Sequence, residues 1–327
     1  MINILILSAG TRNKVVQAFQ QALCGQGRVV ACDCSPLGPA IYDADQAYIV
    51  PIIDAPDYID RILEICRKEK ISGVFSLIDP ELSLLAAHRE RFEAEGICPI
   101  VSSYELCEKS LDKYEMYRLL KEMKVPTAEC YTSVCDFDRA IREKKIDYPV
   151  FVKPVRGSAS ININKVFTHK EIEVLFERES GLMIQEFMDG QEYGADVYLD
   201  LISGRCTHIF LKKKIKMRAG ETDKSVSVRN EKAFELIRAF AEGAGFRGMI
   251  DIDLFEKDGI FYISEVNPRF GGGYPHAFAA GVDIPSAVVK NLAGEINEPQ
   301  IGCYREGIYM MKYNEICIRT EEELAGK

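Results

Sequence analysis

The 327-residue chain has no stretch of about 18 apolar residues, the length a membrane-spanning helix needs, so no membrane partner is expected. Its opening MINILILSAG is apolar but short and carries no basic leader, which argues against a secretory signal and for a cytoplasmic protein. No C-x-x-C pair occurs among the 11 cysteines, and their number is odd, so reduced, mostly buried thiols are expected and a structural zinc site is not. No extended basic stripe offsets the net charge of −9, which speaks against nucleic acid as a partner. The one dense basic cluster, Lys212-Lys213-Lys214 with Lys216 and Arg218, is local and suits a small anionic ligand. Internal repeats and low-complexity linkers are also missing, while the length allows two or three domains.

Glycine is scarce at one telling place. Ile2 to Leu7 reads as a strand and Gly10 follows it, with Asp33 after a second strand at Arg28 to Cys32. A dinucleotide-binding turn needs three glycines, each for a separate steric reason, and only Gly10 is present. Gly10 is therefore read as letting the chain turn, and Asp33 as capping a loop.

What is present alternates. Helical spacing over Val15 to Leu23, Tyr58 to Cys66 and Glu81 to Glu95, with a third strand at Gly73 to Leu77, predicts a parallel α/β layer over roughly the first hundred residues. A helix follows within SLDKYEMYRLLKEMKVP, closed by Val125-Pro126. The rest has α+β character: a hairpin of Tyr148 to Lys153 and Ile161 to Val166, a helix at Lys170 to Phe176, and a strand at Leu182 to Glu186. Further strands are expected at Ala195 to Leu201 and Cys206 to Lys212, then a polar loop over Arg218 to Ser227 and a helix over Glu231 to Gly243. A last strand pair, Met249 to Phe255 and Ile260 to Val266, turns at Asp258-Gly259.

Three stretches carry chemistry. In FVKPVRGSASININ a strand lysine, Lys153, precedes a tip of small residues (Gly157, Ser158, Ala159, Ser160) whose amides and hydroxyls suit phosphate oxygens; an ordinary surface turn reads the same. In IQEFMDGQEYGADVY, Gln185, Glu186 and Phe187 end one strand and Glu192 starts the next, an arrangement fitting a base edge and a ribose diol. On the last hairpin, alternation puts Asp251 and Asp253 on one face, and Glu265, Asn267 and Arg269 on one face. Should those faces coincide, three carboxylates and an amide cluster at a cost that cations must relieve, and oxygen-only donors suit Mg²⁺.

In this order, Asp112-Lys113, Val152-Lys153-Pro154, Gly157 to Ser160, Gln185-Glu186-Phe187, Glu192, Asp251/Asp253 and Glu265-Val266-Asn267-Pro268-Arg269 resemble the ATP-grasp superfamily. They are most similar to the branch that holds the carbamoyl-phosphate synthase large subunit and the carboxylate–amine ligases. The resemblance implies a Rossmann-like parallel pre-ATP-grasp domain over 1–105 and a two-lobed grasp over 106–327, with a small lid lobe at about 125–190 and a larger lobe at about 191–327. It implies Lys113 and Lys153 on ATP phosphates with the loop at Gly157, Ser158 and Ser160, and Gln185, Glu186 and Phe187 beside adenine. Glu192 would bind the ribose. Glu265, Asn267 and one of Asp251 and Asp253, with Asp253 ranked first, would hold two Mg²⁺ ions, for which Mn²⁺ could substitute. Arg269 would stabilise the transferring phosphoryl group, while Arg218 and Lys224 would meet the substrate carboxylate. The implied reaction is ligation of a small carboxylate to an amine through an acyl phosphate, with a homodimer as the expected assembly. Bicarbonate activation and a non-catalytic ATP-binding subunit are the alternatives. The phosphate loop has one glycine where many relatives have several, and the chain holds one grasp unit where the synthase has two.

Overall fold

The computed structural model describes residues 1–157, 162–218 and 220–325. Strands β1 (Asn3–Leu7), β2 (Val29–Asp33), β3 (Gln46–Ile49), β4 (Ile71–Ser76) and β5 (Cys98–Pro99) form a parallel sheet in the order β3-β2-β1-β4-β5. Every residue of β1 is buried, as expected of a strand covered on both faces by helices. The short β3 was not foreseen, and the helix expected over Glu81 to Glu95 is two, Asp79–Ala87 and Arg89–Glu93, broken at His88. Gly10 adopts φ +51°, its N–H donates to Asp33 Oδ2 at 2.9 Å, and Ser35 N–H donates to Oδ1 at 3.0 Å. That carboxylate is thus engaged in holding two loops.

After the helix Tyr104–Leu111, Asp112 caps the helix Lys113–Glu122 by accepting from the Tyr114 and Glu115 amides at 3.1 and 3.0 Å. Strands β6 (Cys130–Tyr131), β7 (Val150–Pro154), β8 (Asn164–Val166) and β9 (Leu182–Glu186) form an antiparallel sheet ordered β6-β9-β7-β8. It packs on the helices Val134–Arg142 and His169–Arg178 around Phe137, Ile172, Val150, Val152 and Ile184.

The third sheet holds β10 (Gln191–Leu199), β11 (Cys206–Arg218), β12 (Glu221–Val228), β13 (Gly248–Lys257), β14 (Ile260–Asn267) and β15 (Tyr309–Met311), ordered β14-β13-β10-β11-β12-β15 and antiparallel throughout. The polar loop expected over Arg218 to Ser227 is largely β12. Its polar residues Thr222, Asp223, Ser225 and Ser227 are buried, which hides the strand from a reading by hydrophobic alternation. The β13–β14 turn places Asp258 and Gly259 at φ +53° and +75°, the two left-handed positions of a tight hairpin. One hydrophobic core runs from the first sheet into the third, through Phe19, Phe75 and Phe270 with ring centroids 5.0–5.7 Å apart. All 11 cysteines are free, but against the expectation of mostly buried thiols only Cys32, Cys66, Cys107, Cys130 and Cys206 are buried; among the described residues no helix is long and apolar enough to cross a membrane.

Candidate active site

A cleft of about 610 Å³ lies between the second and third sheets and reaches the ends of β4 and the loop after β1. Of the residues singled out in the sequence, Lys153, Gln185, Glu186, Glu192, Arg218, Asp251, Asp253, Glu265, Asn267 and Arg269 all line it. Asp251 lies directly opposite Asn267, and Asp253 opposite Glu265, so the two strands do share one charged face. A bulge makes this possible. Asp253 pairs with Glu265 but Leu254 with Ile263, leaving Ser264 as an extra residue. Phe261 and Ile263 point into the core, and without Ser264 the same alternation would carry Glu265 and Asn267 there too.

The cations that this carboxylate cluster needs come from the protein itself. Lys214 Nζ lies 2.7 Å from Asp253 Oδ1 and 2.7 Å from Glu192 Oε1. Lys212 Nζ bonds Asp196 Oδ2, and both side chains are buried. Burial alone would lower the Lys214 pKa, but Asp253 and Glu192 override it and raise it. Asp251, whose neighbour across β10 is Asp196, is pushed by burial up to about 7, against the pull of Lys212. The basic cluster on β11 divides along the strand: Lys212 and Lys214 neutralise carboxylates inside the cleft, whereas past the register shift at Lys214/Lys216 the side chains of Lys216 and Arg218 are exposed, Arg218 at the cleft's rim. Lys224, expected beside Arg218, is exposed and does not line the cleft.

Arg269 is held by Asp79 at the start of a helix of the N-terminal layer, with Nη2 donating to Oδ2 at 3.2 Å and Nε 2.9 Å from Oδ1. Its Nη1 stands 3.9 Å from Asp251 Oδ2. Lys153, 7% exposed on β7, faces this array from the other wall; burial lowers its pKa, and Glu265 opposes that. Phe151, Ile163, Ala128 and Met188 supply apolar surface beside Gln185 and Glu186. Phe187 does not line the cleft: its ring packs edge-on against Phe151 at 5.4 Å, with Lys165 Nζ 3.5 Å from its centroid. Lys113 and Gly157 also stay outside the lining, Lys113 Nζ donating to Gly157 O, and Ser158 and Ser160 lie outside the described residues.

The glycine run serves the protein's own side chains. A Cβ on Gly271 would come 2.4 Å from Asp251 Cγ, one on Gly272 2.8 Å from Arg12 and Glu221, and one on Gly273 2.9 Å from Lys212. His276 accepts from Ser225 Oγ at 2.8 Å and donates from Nε2 to Ile308 O at 2.8 Å, since a carbonyl only accepts. Burial lowers its pKa to about 4, so it is a neutral structural group. Arg12, Asp79, Asp196 and Glu221 were not foreseen as site residues, and Lys212, expected in a cluster for a small anionic ligand, pairs with Asp196 instead. Period-two lysines on a strand were the one available signal for Lys212, and the others depend on contacts between distant segments.

A charged antiparallel sheet facing a smaller sheet across a cleft, with a parallel layer abutting it, defines a nucleotide-handling α/β architecture of the grasp type. The ATP-grasp domain model matches residues 110–273 and the PylC-like N-terminal domain model residues 4–101. The chain belongs to the ATP-grasp family, which uses ATP and Mg²⁺. It is 25% identical over 290 residues to the carbamoyl phosphate synthase large chain of Clostridium botulinum (strain Kyoto / Type A2), a match covering 80% of this chain and 26% of that one. The chain thus spans about a quarter of the length of that relative. The biotin carboxylase domain of the Hydrogenobacter thermophilus 2-oxoglutarate carboxylase, solved with MgADP, ADP and bicarbonate, superposes with a TM-score of 0.75 at 17% identity over 94% of this chain and 73% of that one. The L-amino acid ligase from Bacillus licheniformis gives 0.66 at 19% identity over 91% and 75%. At these identities the likeness to the two solved structures speaks for the fold.

Proposed function

We propose that the chain is an ATP- and Mg²⁺-dependent ligase that activates a carboxylate as an acyl phosphate for attack by an amine. The observation that carries this reading is the cleft itself, where Asp251/Asn267 and Asp253/Glu265 stand as cross-strand pairs beside Arg269 and across from Lys153. Among the described residues no three His, Cys, Asp or Glu side chains converge as a ready metal cage. The donor set nonetheless fits Mg²⁺, which is held by one or two carboxylates together with nucleotide phosphates and water rather than by an all-protein cage. Glu265 with its partner Asp253, and Asn267 with Asp251, are the residues that would hold it; two ions fit this reading, and Mn²⁺ is expected to substitute. When bound, the metal neutralises charge on the nucleotide phosphates.

The chain's own part is positioning and charge. Lys153 meets phosphate oxygens from the small sheet, and Arg269, fixed by Asp79, meets charge developing on the transferring phosphoryl group. The apolar surface of Phe151, Ile163 and Met188 receives the base, and Glu192 turns from Lys214 toward the ribose. Arg218, at the exposed end of β11, takes the substrate carboxylate. The small lobe at about 125–190 acts as a lid over the larger lobe, with Lys113 and Gly157 on the phosphate side, keeping water from the acyl phosphate. A cytoplasmic homodimer is the proposed setting.

The test is ADP release from Mg-ATP against carboxylates, amino acids and bicarbonate, with Glu265→Gln beside the wild type. Release that needs one acid and one amine, and is lost in the variant, supports the ligase. Release with bicarbonate alone supports the alternative suggested by the carbamoyl phosphate synthase relative, and ATP binding without any release sinks both.

A further inference from the structure

A second cavity, of about 980 Å³, adjoins the cleft. Arg12, Glu221 and Gly272 line both, so these residues form the wall between them. Glu221 is held from two sides, by Arg12 of the N-terminal layer at 2.8 Å and by Lys312 of the C-terminal segment at 2.6 Å. Burial pushes its carboxyl up, but Arg12 and Lys312 pull it below the ordinary value. Gly272 packs directly against this pair: a Cβ there would come 2.8 Å from Arg12 and Glu221, so their side chains would have to shift.

The other walls are apolar and charged, with Asp43, which accepts from Asn13 and Gln17, and Glu315 also in the lining. Leu37, Ile316 and Ile318 expose 75, 86 and 79% of their surface along this cavity, an unusual concentration of large apolar side chains in water. Lys14 and Arg319 bring positive charge. Lys14 Nζ meets Gln17 Oε1 at 3.1 Å and Arg319 lies 4.7 Å over the Tyr42 ring; among the described residues neither is in a close ion pair, although Glu323 lies near enough to feel the Arg319 charge. Cations outside any close ion pair, an apolar wall and a carboxylate at the mouth of the reaction cleft together suit a ligand that carries an anionic group, an apolar group and an ammonium.

We infer that this cavity binds the amine substrate as an amino acid with an apolar side chain. Its carboxylate lies on Lys14 and Arg319, its side chain on Leu37 and Ile316, and its ammonium displaces Arg12 from Glu221, opening the wall. The inference rests on the ligase reading and deepens it. The ammonium gives one proton to solvent; the amine nitrogen then forms the C–N bond as the C–O bond to phosphate breaks. The second proton leaves with inorganic phosphate.

Binding of L- and D-leucine to the full chain is measured by saturation-transfer NMR without nucleotide, beside leucinamide, which lacks the carboxylate, and isocaproate, which lacks the amine. Leu37→Asp and Arg319→Glu alter exposed positions, and circular dichroism checks their folding. One leucine enantiomer is expected to bind saturably, and each analogue and each variant to weaken it about tenfold or more, the size of a lost charge-assisted contact, with Mg-ATP affinity unchanged. No saturable binding of either enantiomer, or binding indifferent to both variants, overturns the site. Saturable leucine binding that never supports ADP release with any acid leaves the site standing and overturns its role as the amine subsite, separating this inference from the ligase reading.

Discussion

The two walls of the cleft are anchored differently. The six-stranded sheet shares a continuous core with the N-terminal layer: Phe270, just past β14, packs on Phe19 and Phe75 at 5.7 and 5.5 Å, and Arg269 reaches Asp79. The four-stranded sheet closes its own core around Phe137, Val150, Val152 and Ile184. Nearly all the cleft's charge sits on the anchored wall, in fixed cross-strand register, whereas the separately packed wall brings Lys153. A unit with its own core moves as a body at little cost in packing, which suits it to open and close over a sheet whose charges must stay in place.

Loss of a large core ring tests this contrast most severely. Phe137→Ala and Phe270→Ala should each cost about 3–5 kcal/mol. Hydrogen exchange should then quicken in β7 and β9 alone for Phe137→Ala, but in β4 and β14 together for Phe270→Ala; the same pattern in both variants would break the comparison. Next in size is Asp79→Ala, which leaves the Arg269 guanidinium, 14% exposed, without its nearest carboxylate. We expect a loss of roughly 2–3 kcal/mol in urea unfolding, less than for a fully buried pair, together with a fall in turnover at unchanged ATP affinity. Gly271→Ala should cost about 1–3 kcal/mol by pressing on Asp251, while a change at Gly259, whose Cβ direction is open, should show no such clash.

The smallest expected effect is one of pH. The His276 pKa is depressed from 6.5 to about 4 by burial, so the unfolded chain takes up a proton first as pH falls. Stability from this group is therefore fully present above about 6.5 and is lost as pH falls toward 4. Urea unfolding at pH 7 and pH 5 should differ by on the order of 1 kcal/mol through this residue, and His276→Gln should flatten that difference. An unchanged slope would place the proton uptake elsewhere, with His208, also lowered to about 4 by burial, as the next candidate.

Much of the cleft was legible because its residues lie on strands with clear punctuation. Leu182 to Glu186 was read with its observed bounds, and Asp258-Gly259 marked the hairpin that aligns Asp251 and Asp253 with Glu265 and Asn267. The bulge at Ser264 was not legible, since nothing local distinguishes an extra residue from simple alternation, yet it decides which face Glu265 occupies. Strand β12 was hidden by its buried serines and threonine, whose partners, Arg305 O for Ser227 and His276 for Ser225, come from distant segments. The same holds for Arg12 and Asp79, which join the site only when the N-terminal layer docks. Phe187 shows the converse limit: its place in the sequence was right for the cleft, but side-chain direction turned it onto Phe151.

The most direct test of the account is hydrogen exchange of the full chain with and without Mg²⁺ and a non-hydrolysable ATP analogue. If the nucleotide lies between an anchored sheet and a separately packed one, exchange should slow together in Val150–Pro154 and Leu182–Glu186 on one wall and in Gly248–Lys257 and Ile260–Asn267 on the other. Slowing confined to the turn at Gly10 and the end of β2, with both walls unchanged, would contradict it.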